Sequence, residues 1–315
     1  MQAVVITDGN LEIVERPTPE PGPYDVVVSV RAAGINAADL LQRQGFYPAP
    51  AGSPVDIPGL EMAGVVSAVG DRVTEPLLGR RVCAIVGGGA QATHCLVPAE
   101  HLIFVPDDVS WAEAGGFAEA FTTAHDALVT HGHLVAGERV LVSGANGGVG
   151  TAAVQIAHAL GAHVTAVTRT TQHHEQLRSL GADATITLDE VSSIDRVDLV
   201  LELVGAANLS QAQNVLAPRA RIVVIGVGGG SRVEIDLRLI MGLRATLTGS
   251  TLRARSREEK ADVIAQINQS LVPRWTDREI HVPVARSFEL EEATLAYEYF
   301  AESGKFGKVL LRVDQ

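Results

Sequence analysis

The sequence predicts an α/β protein in which a doubly wound parallel sheet is inserted into a small all-β unit. Three observations lead there. Residues 137–168 read strand, glycine loop, helix and strand; β-rich runs then alternate with helical stretches; and the first hundred residues carry short strands broken by glycine and proline.

The central unit begins with Arg139 to Ser143, a short apolar β-branched run suited to a buried strand. Gly144 to Gly150 is a glycine loop, Val149 to Leu160 has small and apolar residues at helix spacing, Gly161 is a natural C-cap, and His163 to Thr168 is a second β-branched run. Together they make a βαβ unit. Its loop needs glycine because the chain reverses tightly where backbone must approach a ligand phosphate, and the following helix offers unpaired N–H groups to that phosphate. The spacing is Gly144-x-x-Gly147-x-x-Gly150 and not G-x-G-x-x-G, but strand before and helix after supply the context that a dinucleotide site requires. The plainer alternative is a glycine turn that only packs a helix closely on a sheet.

Ahead of this unit, Gln2 to Thr7 and Leu11 to Val14 form a first hairpin, and Tyr24 to Ala33 is an alternating strand. Gly64 to Val69, Arg81 to Val86 and Thr93 to Val97 are further short strands, so this segment resembles a barrel. Residues 110–137 turn helical. Beyond the βαβ unit, Ala184 to Leu188, Val197 to Leu203 and Arg221 to Val227 are strands of the parallel sheet, and Leu243 to Ser250 is its last strand, on an edge open to a twin chain. Arg257 to Ser270 is an amphipathic helix; a strand at Val282 to Ser287, a helix at Leu290 to Ser303 and a strand at Lys308 to Val313 end the chain. The tail is too short to fold alone. Residues 1–119 with 257–315 therefore form one discontinuous domain, residues 120–256 the nucleotide-binding domain, and the active site is expected in the cleft between the two at the carboxyl ends of the strands.

The 315 residues, 46% hydrophobic and 20% charged, match a globular protein. A net charge of −12 argues against a nucleic-acid surface. No run of 18 uncharged apolar residues occurs, and MQAVVITDGN lacks the pattern of a secretory signal, so neither membrane nor export is expected and the cytoplasm is. Cys83 and Cys95, both inside apolar runs, read as buried thiols. His131-x-His133 and His173-His174 are pairs without further nearby ligands, better read as solvated histidines than as metal sites, and no metal is expected.

A β unit, an inserted nucleotide domain and a returning tail resemble the medium-chain dehydrogenase/reductase superfamily. Its members pair a GroES-like barrel with a Rossmann domain. Within 33–70, Asn36-x-x-Asp39, Gly45-x-Tyr47-Pro48 and Pro58-Gly59-Leu60-Glu61 are similar to the quinone oxidoreductase (zeta-crystallin-like) branch. TGSTLRARSREEK at 248–260 and GKFGKVLL at 304–311 are similar to the tumour-suppressor-induced NADPH oxidoreductases within it. Zinc-dependent members place cysteine where Asn36 stands and histidine where Leu60 stands, so the resemblance implies a zinc-independent enzyme. It also implies that Asn36, Tyr47 and Thr123 face the nicotinamide, that Asn146, Gly147, Gly148 and Val149 cover the pyrophosphate, that Leu203, Val204, Ile225, Gly226 and Val227 lie by the nicotinamide ring and amide, and that Phe306 and Lys308 contribute from the tail. Relatives carry lysine where His173 stands and glycine where Arg169 stands.

Cofactor choice is made just after the second strand, where an acid accepts bonds from a ribose 2′-hydroxyl. Here Thr168 is followed by Arg169 and no acid occurs until Glu175, which favours NADPH, with Arg169 forking onto the 2′-phosphate. The expected activity is NADPH-dependent quinone reduction by hydride or single-electron transfer, with Tyr47 as donor or acid to the acceptor oxygen, unless Tyr47 only closes the turn before Pro48. The alternatives are reduction of activated C=C bonds in enones, 2-alkenals or enoyl thioesters, and a non-catalytic NADPH-binding protein. A homodimer is expected.

Overall fold

The computed structural model describes residues 1–313, which divide into two compact units: residues up to Thr122 together with those from Leu252 onward, and Thr123–Thr251. The structure thus gives residues 120–122 and 252–256 to the first unit.

In the first unit, β1 (Gln2–Thr7) and β2 (Asn10–Glu15) pair as an antiparallel hairpin. The main sheet is built on β3 (Asp25–Ile35), whose eleven residues are too long to stay flat. β4 (Glu61–Val69) pairs antiparallel along most of it, with register shifts at Val27/Val28 and Val30/Ala32. Those bulges bend the strand. On its other edge β3 therefore meets two different strands: β6 (His94–Pro98) pairs with Asp25 to Ser29, and the C-terminal strand β15 (Lys308–Arg312) with Ala32 to Ile35. Gly64 sits at the bend, where a Cβ would stand 2.1 Å from the Ser29 carbonyl oxygen. β5 (Arg81–Ile85), the two-residue β7 (Ile103–Phe104) and β14 (Val284–Glu289) complete the sheet, β14 lying parallel to β15. The returning tail is thus part of the first unit's sheet.

The second unit is a six-stranded sheet paired in parallel throughout. Its strands are β8 (Arg139–Val142), β9 (His163–Thr168), β10 (Ala184–Thr187), β11 (Val197–Glu202), β12 (Leu216–Val224) and β13 (Thr246–Gly249). Their spatial order is β10-β9-β8-β11-β12-β13, so the connection reverses direction between β8 and β11. This is the Rossmann order, and its switch point lies at the carboxyl ends of β8 and β11. Three elements differ from the sequence reading. The expected last strand Leu243 to Ser250 shrinks to Thr246–Gly249, because the helix Leu237–Leu243 ends in a left-handed Arg244. β12 starts at Leu216 and stops at Val224, leaving Ile225 to Val227 in a loop, because the Ile225 and Gly226 N–H groups turn back to the Glu202 carbonyl at 2.9 and 3.1 Å. The helical stretch near 110–137 breaks into helices Trp111–Ala114 and Ala118–His125 and a π-helical turn, Asp126–His131.

The tail is also fastened by aromatic packing. Phe117 stacks on Phe121 with centroids 4.5 Å apart and on Trp275 at 3.8 Å, and Trp275 Nε1 donates to Glu113 Oε1 at 2.9 Å. Trp275 is fully buried. Trp275→Ala is expected to remove about 3–5 kcal/mol of stability, read as a lower denaturant midpoint at unchanged slope.

Candidate active site

The second unit's candidate residues other than Thr123 lie in the loops and the helix start that follow the carboxyl ends of its strands. β8 ends in Val142 and is followed by Ser143, and Gly144 turns with φ +59° so that the Ala145 N–H reaches the Val167 carbonyl of β9 at 3.1 Å. The helix Gly148–Ala159 starts immediately, with Gly147 as its N-cap. Gly150 is required by contact: a Cβ there would lie 2.4 Å from the Gly144 carbonyl oxygen. Gly147 is exposed, and its Cβ position meets only that same oxygen at 3.5 Å. The space beside the helix N-terminus is therefore open where unpaired N–H groups gather, which fits a pyrophosphate. Asn146, Gly148 and Val149 are half-buried around it.

Arg169 follows the last residue of β9, is exposed, and has no hydrogen bond or ion pair among the described residues. His173, half-buried, bonds through Nδ1 with Gln176 Oε1. Leu203 and Val204 follow β11 and are half-buried, as are Ile225 and Gly226, while Val227 is exposed. The two loops are laced together, Gly229 N–H to the Val204 carbonyl at 2.7 Å and Ala206 N–H to the Gly230 carbonyl at 2.9 Å. Thr123, at the start of this unit, is buried.

Glu202 organises this edge, and the sequence reading passed over it. Its Oε1 accepts from Ser143 Oγ and from the Val204 and Gly205 N–H groups, each at 2.7 Å, while Ser143 Oγ accepts from Leu203 N–H at 2.8 Å. Burial pushes the carboxyl up from its ordinary range, against these three donors. The signal was present: a lone acid ending an apolar strand, LVLEL, is costly unless bonded.

The first unit holds a buried polar cluster. Lys308 Nζ lies 2.5 Å from Glu61 Oε1, 2.6 Å from Asn36 Oδ1 and 3.3 Å from the Ile35 carbonyl oxygen. Those three acceptors account for its three protons. Glu61 Oε1 also accepts from Asn36 Nδ2 at 3.0 Å, and Oε2 from the Glu119 N–H at 2.8 Å. Because Lys308 donates to the Asn36 oxygen, the amide is oriented, and one amide N–H is left without a partner among the described residues. Asp39 accepts from the Asn36 N–H at 2.7 Å and the Gly59 N–H at 3.0 Å; burial raises its carboxyl to about 7 against those bonds and the Lys308 and Arg253 charges.

The structure therefore brings Asn36 and Lys308 into direct contact, with Lys308 engaged as Asn36's support. Tyr47 is half-buried, and its hydroxyl has no hydrogen-bond partner among the described residues. Phe306 is half-buried beside Gly307, where a Cβ would lie 2.1 Å from the Pro283 carbonyl oxygen. No group of three or more His, Cys, Asp and Glu able to hold a metal occurs among the described residues, and His131 Nε2 instead lies 3.3 Å from Asp126 Oδ2.

Two family models match, an alcohol dehydrogenase GroES-like domain over residues 22–133 and a zinc-binding dehydrogenase domain over residues 148–269. The quinone oxidoreductase of Lama guanicoe is 31% identical over 306 residues, 93% of this chain and 90% of that protein. The chain belongs to the medium-chain dehydrogenase/reductase superfamily. The human quinone oxidoreductase is 29% identical over 307 residues, covering 93% of this chain and 90% of its own length. Among solved structures, the quinone oxidoreductase of Thermus thermophilus, known also in complex with NADPH, is 32% identical with a TM-score of 0.85, over 99% of this chain and all of that one. This medium-chain enzyme is an oxidoreductase, and among the described residues no helix is long and apolar enough to cross a membrane.

Removing one partner of a buried ion pair strands the other charge. Lys308→Met is expected to cost about 3–5 kcal/mol by denaturant unfolding. Adding Glu61→Gln should recover most of it; a double variant no more stable than the single one would show that the ammonium's other bonds carry the effect.

Proposed function

We propose that this chain is a zinc-independent, NADPH-dependent quinone oxidoreductase. The reading rests above all on Arg169, an exposed and unpaired guanidinium at the end of β9, where an acid would repel a 2′-phosphate. The glycine turn at 144–150 would hold the pyrophosphate, and the spare Asn36 N–H would serve the nicotinamide side with Tyr47, Thr123 and Phe306. Leu203, Val204 and Ile225 to Val227 would flank the ring, and His173 would border the 2′-phosphate. Lys308 would act through Asn36.

When bound, NADPH supplies the hydride. The chain's task is to orient it about 3–3.5 Å from the acceptor and to exclude water. Zinc independence is supported by the site's own chemistry: Asn36 and Leu60 replace thiolate and imidazole ligands, and the oxygens of Asn36 and Glu61 already surround an ammonium group. Fluorescence titration is expected to give at least about tenfold tighter binding of NADPH than NADH, with the preference lost in Arg169→Ala. A simple quinone should then drive NADPH oxidation. Turnover with enones alone would favour the C=C reductase reading, and binding without turnover on either acceptor the non-catalytic one.

A homodimer formed through β13 is part of this proposal. Among the described residues that strand pairs only with β12, Leu247 on it is exposed, and the preceding helix Leu237–Leu243 buries none of its residues, leaving Leu237 and Met241 in solvent. An apolar edge of this kind is suited to a second copy of the chain. Light scattering should give twice 33.2 kDa, and Leu247→Arg should halve it. The buried free thiols Cys83 and Cys95 are compatible with a reducing, cytoplasmic setting.

A further inference from the structure

Arg253 is a buried cation that, among the described residues, forms no ion pair with a carboxylate. Its guanidinium is directed at neutral acceptors from two separate segments of the first unit. Nε and Nη2 both donate to the Gly87 carbonyl, at 2.9 and 2.7 Å; Nη1 donates to the Tyr47 carbonyl at 2.9 Å; and Nη2 donates to Gln42 Oε1. Its own carbonyl accepts from Lys260 Nζ at 2.8 Å, which ties it to the helix Arg257–Ser270. The same guanidinium carbon stands 4.9 Å from the centroid of the Tyr47 ring. Burying a charge is costly unless it is hydrogen-bonded, and here neutral acceptors on neighbouring segments of the chain supply those bonds.

Those neighbours are the segment that carries Tyr47. Between the helix Ala37–Arg43 and Gly59, that segment has no regular secondary structure, and Phe46 at its tip is 77% exposed. Such a loop is ordered mainly by the bonds it receives. Arg253 fixes its start, bonding Gln42 in the last turn of the helix and the Tyr47 carbonyl, while holding the phenol ring by its face.

We propose that Arg253 is the positioning residue that holds Tyr47 as proton donor to the reduced acceptor. This rests on the reading of the site as a quinone reductase. The quinone gains a hydride, with its electron pair, from NADPH and a proton from the Tyr47 hydroxyl; the Tyr47 O–H bond breaks as the acceptor O–H bond forms. The phenolate then regains its proton from water, and NADP⁺ and hydroquinone are left. The charges that face the phenol are Arg253 and Glu119, and Asp39 faces Arg253 in turn. Burial raises the Tyr47 phenol above its usual value, with Glu119 adding to the rise and Arg253 opposing it. The phenol is therefore protonated at neutral pH, and loss of the Arg253 charge raises it further, making a weaker acid.

The test is a tyrosinate absorbance titration of the full chain, taken as the difference from Tyr47→Phe, beside the pH dependence of quinone-driven NADPH oxidation. In Arg253→Gln the Tyr47 titration and the alkaline limb of kcat should both move to higher pH, and kcat should fall about tenfold. If that variant does not fold, Arg253→Lys replaces it. It keeps the charge but not the forked bonds, so a raised KM for the acceptor with a near-normal titration is expected. A Tyr47 titration indifferent to Arg253→Gln overturns the positioning. A titration that moves while the limb of kcat stays overturns the proton transfer. Absence of turnover with every acceptor overturns the quinone reductase reading instead, and the titration still decides whether Arg253 acts on Tyr47.

Discussion

The contact on which most of the first unit depends is the buried pair of Lys308 and Glu61. Lys308 opens β15, the last strand of the chain, and Glu61 opens β4; β3 lies between them and ends in Ile35, whose carbonyl completes the ammonium's acceptors. One cation thus pins three neighbouring strands at the same end of the sheet. Burying such a pair brings little net stability against an apolar replacement of similar volume, because both ions lose their hydration. Its effect is geometric. The ammonium decides which way the Asn36 amide faces, and the carboxylate reaches the N–H of Glu119 across the sequence. An amide held in this way keeps its spare N–H in one direction, an orientation that a hydrophobic core could not supply.

The second unit solves a related problem with backbone. Three loops meet at the switch point, and glycine lets them approach. Gly150 touches the carbonyl of Gly144, Gly226 the carbonyl of Leu203, where a Cβ would stand 2.2 Å away, and Gly205, at φ +113°, the carbonyl of Gly230. Glu202 then fills the donors that such crowding leaves unpaired, taking the Val204 and Gly205 N–H groups that no strand partner can reach. The carboxylate is a structural keystone of the carboxyl edge of this sheet. Its place at the end of β11 follows from the need for acceptors where the ladder stops.

Much of this fold could be read from the chain because its signals are local. The β8–helix–β9 unit is a run of β-branched residues, a glycine turn and a helical pattern within about thirty residues, and the helix begins within one residue of the expected position. The tail's membership of the first unit followed from its length alone, but its pairing with β3 did not. What sequence could not carry was the pairing of distant side chains. Glu61 and Lys308 are 247 positions apart (308 − 61) and each belongs to a short motif whose residues gave no sign of the other. Arg253 stood inside a quoted motif as one arginine among several, and only its burial separates it from Arg255 two positions on. The early end of β12 was hidden for a similar reason: Ile225 has the side chain of a strand residue, but its N–H is claimed by Glu202.

The two units also differ in how they keep their charges, and the difference suits what the proposed reading has each charge meet. Lys308 and Arg253 are dry and held by several hydrogen bonds each, so their positions are set before any ligand arrives. Arg169 is hydrated and unpaired. A doubly charged phosphate group brings its own strong acceptors and needs a fork of donors that no carboxylate already occupies. Had Arg169 been held by an acid, binding would first have to break that pair and leave the acid beside the phosphate, which costs affinity twice. Leaving the guanidinium in water costs the fold nothing and keeps its donors available. By the same argument, an acid introduced at Thr170 or Thr171 would favour the ribose hydroxyl over its phosphate without touching the fold, since both positions are exposed.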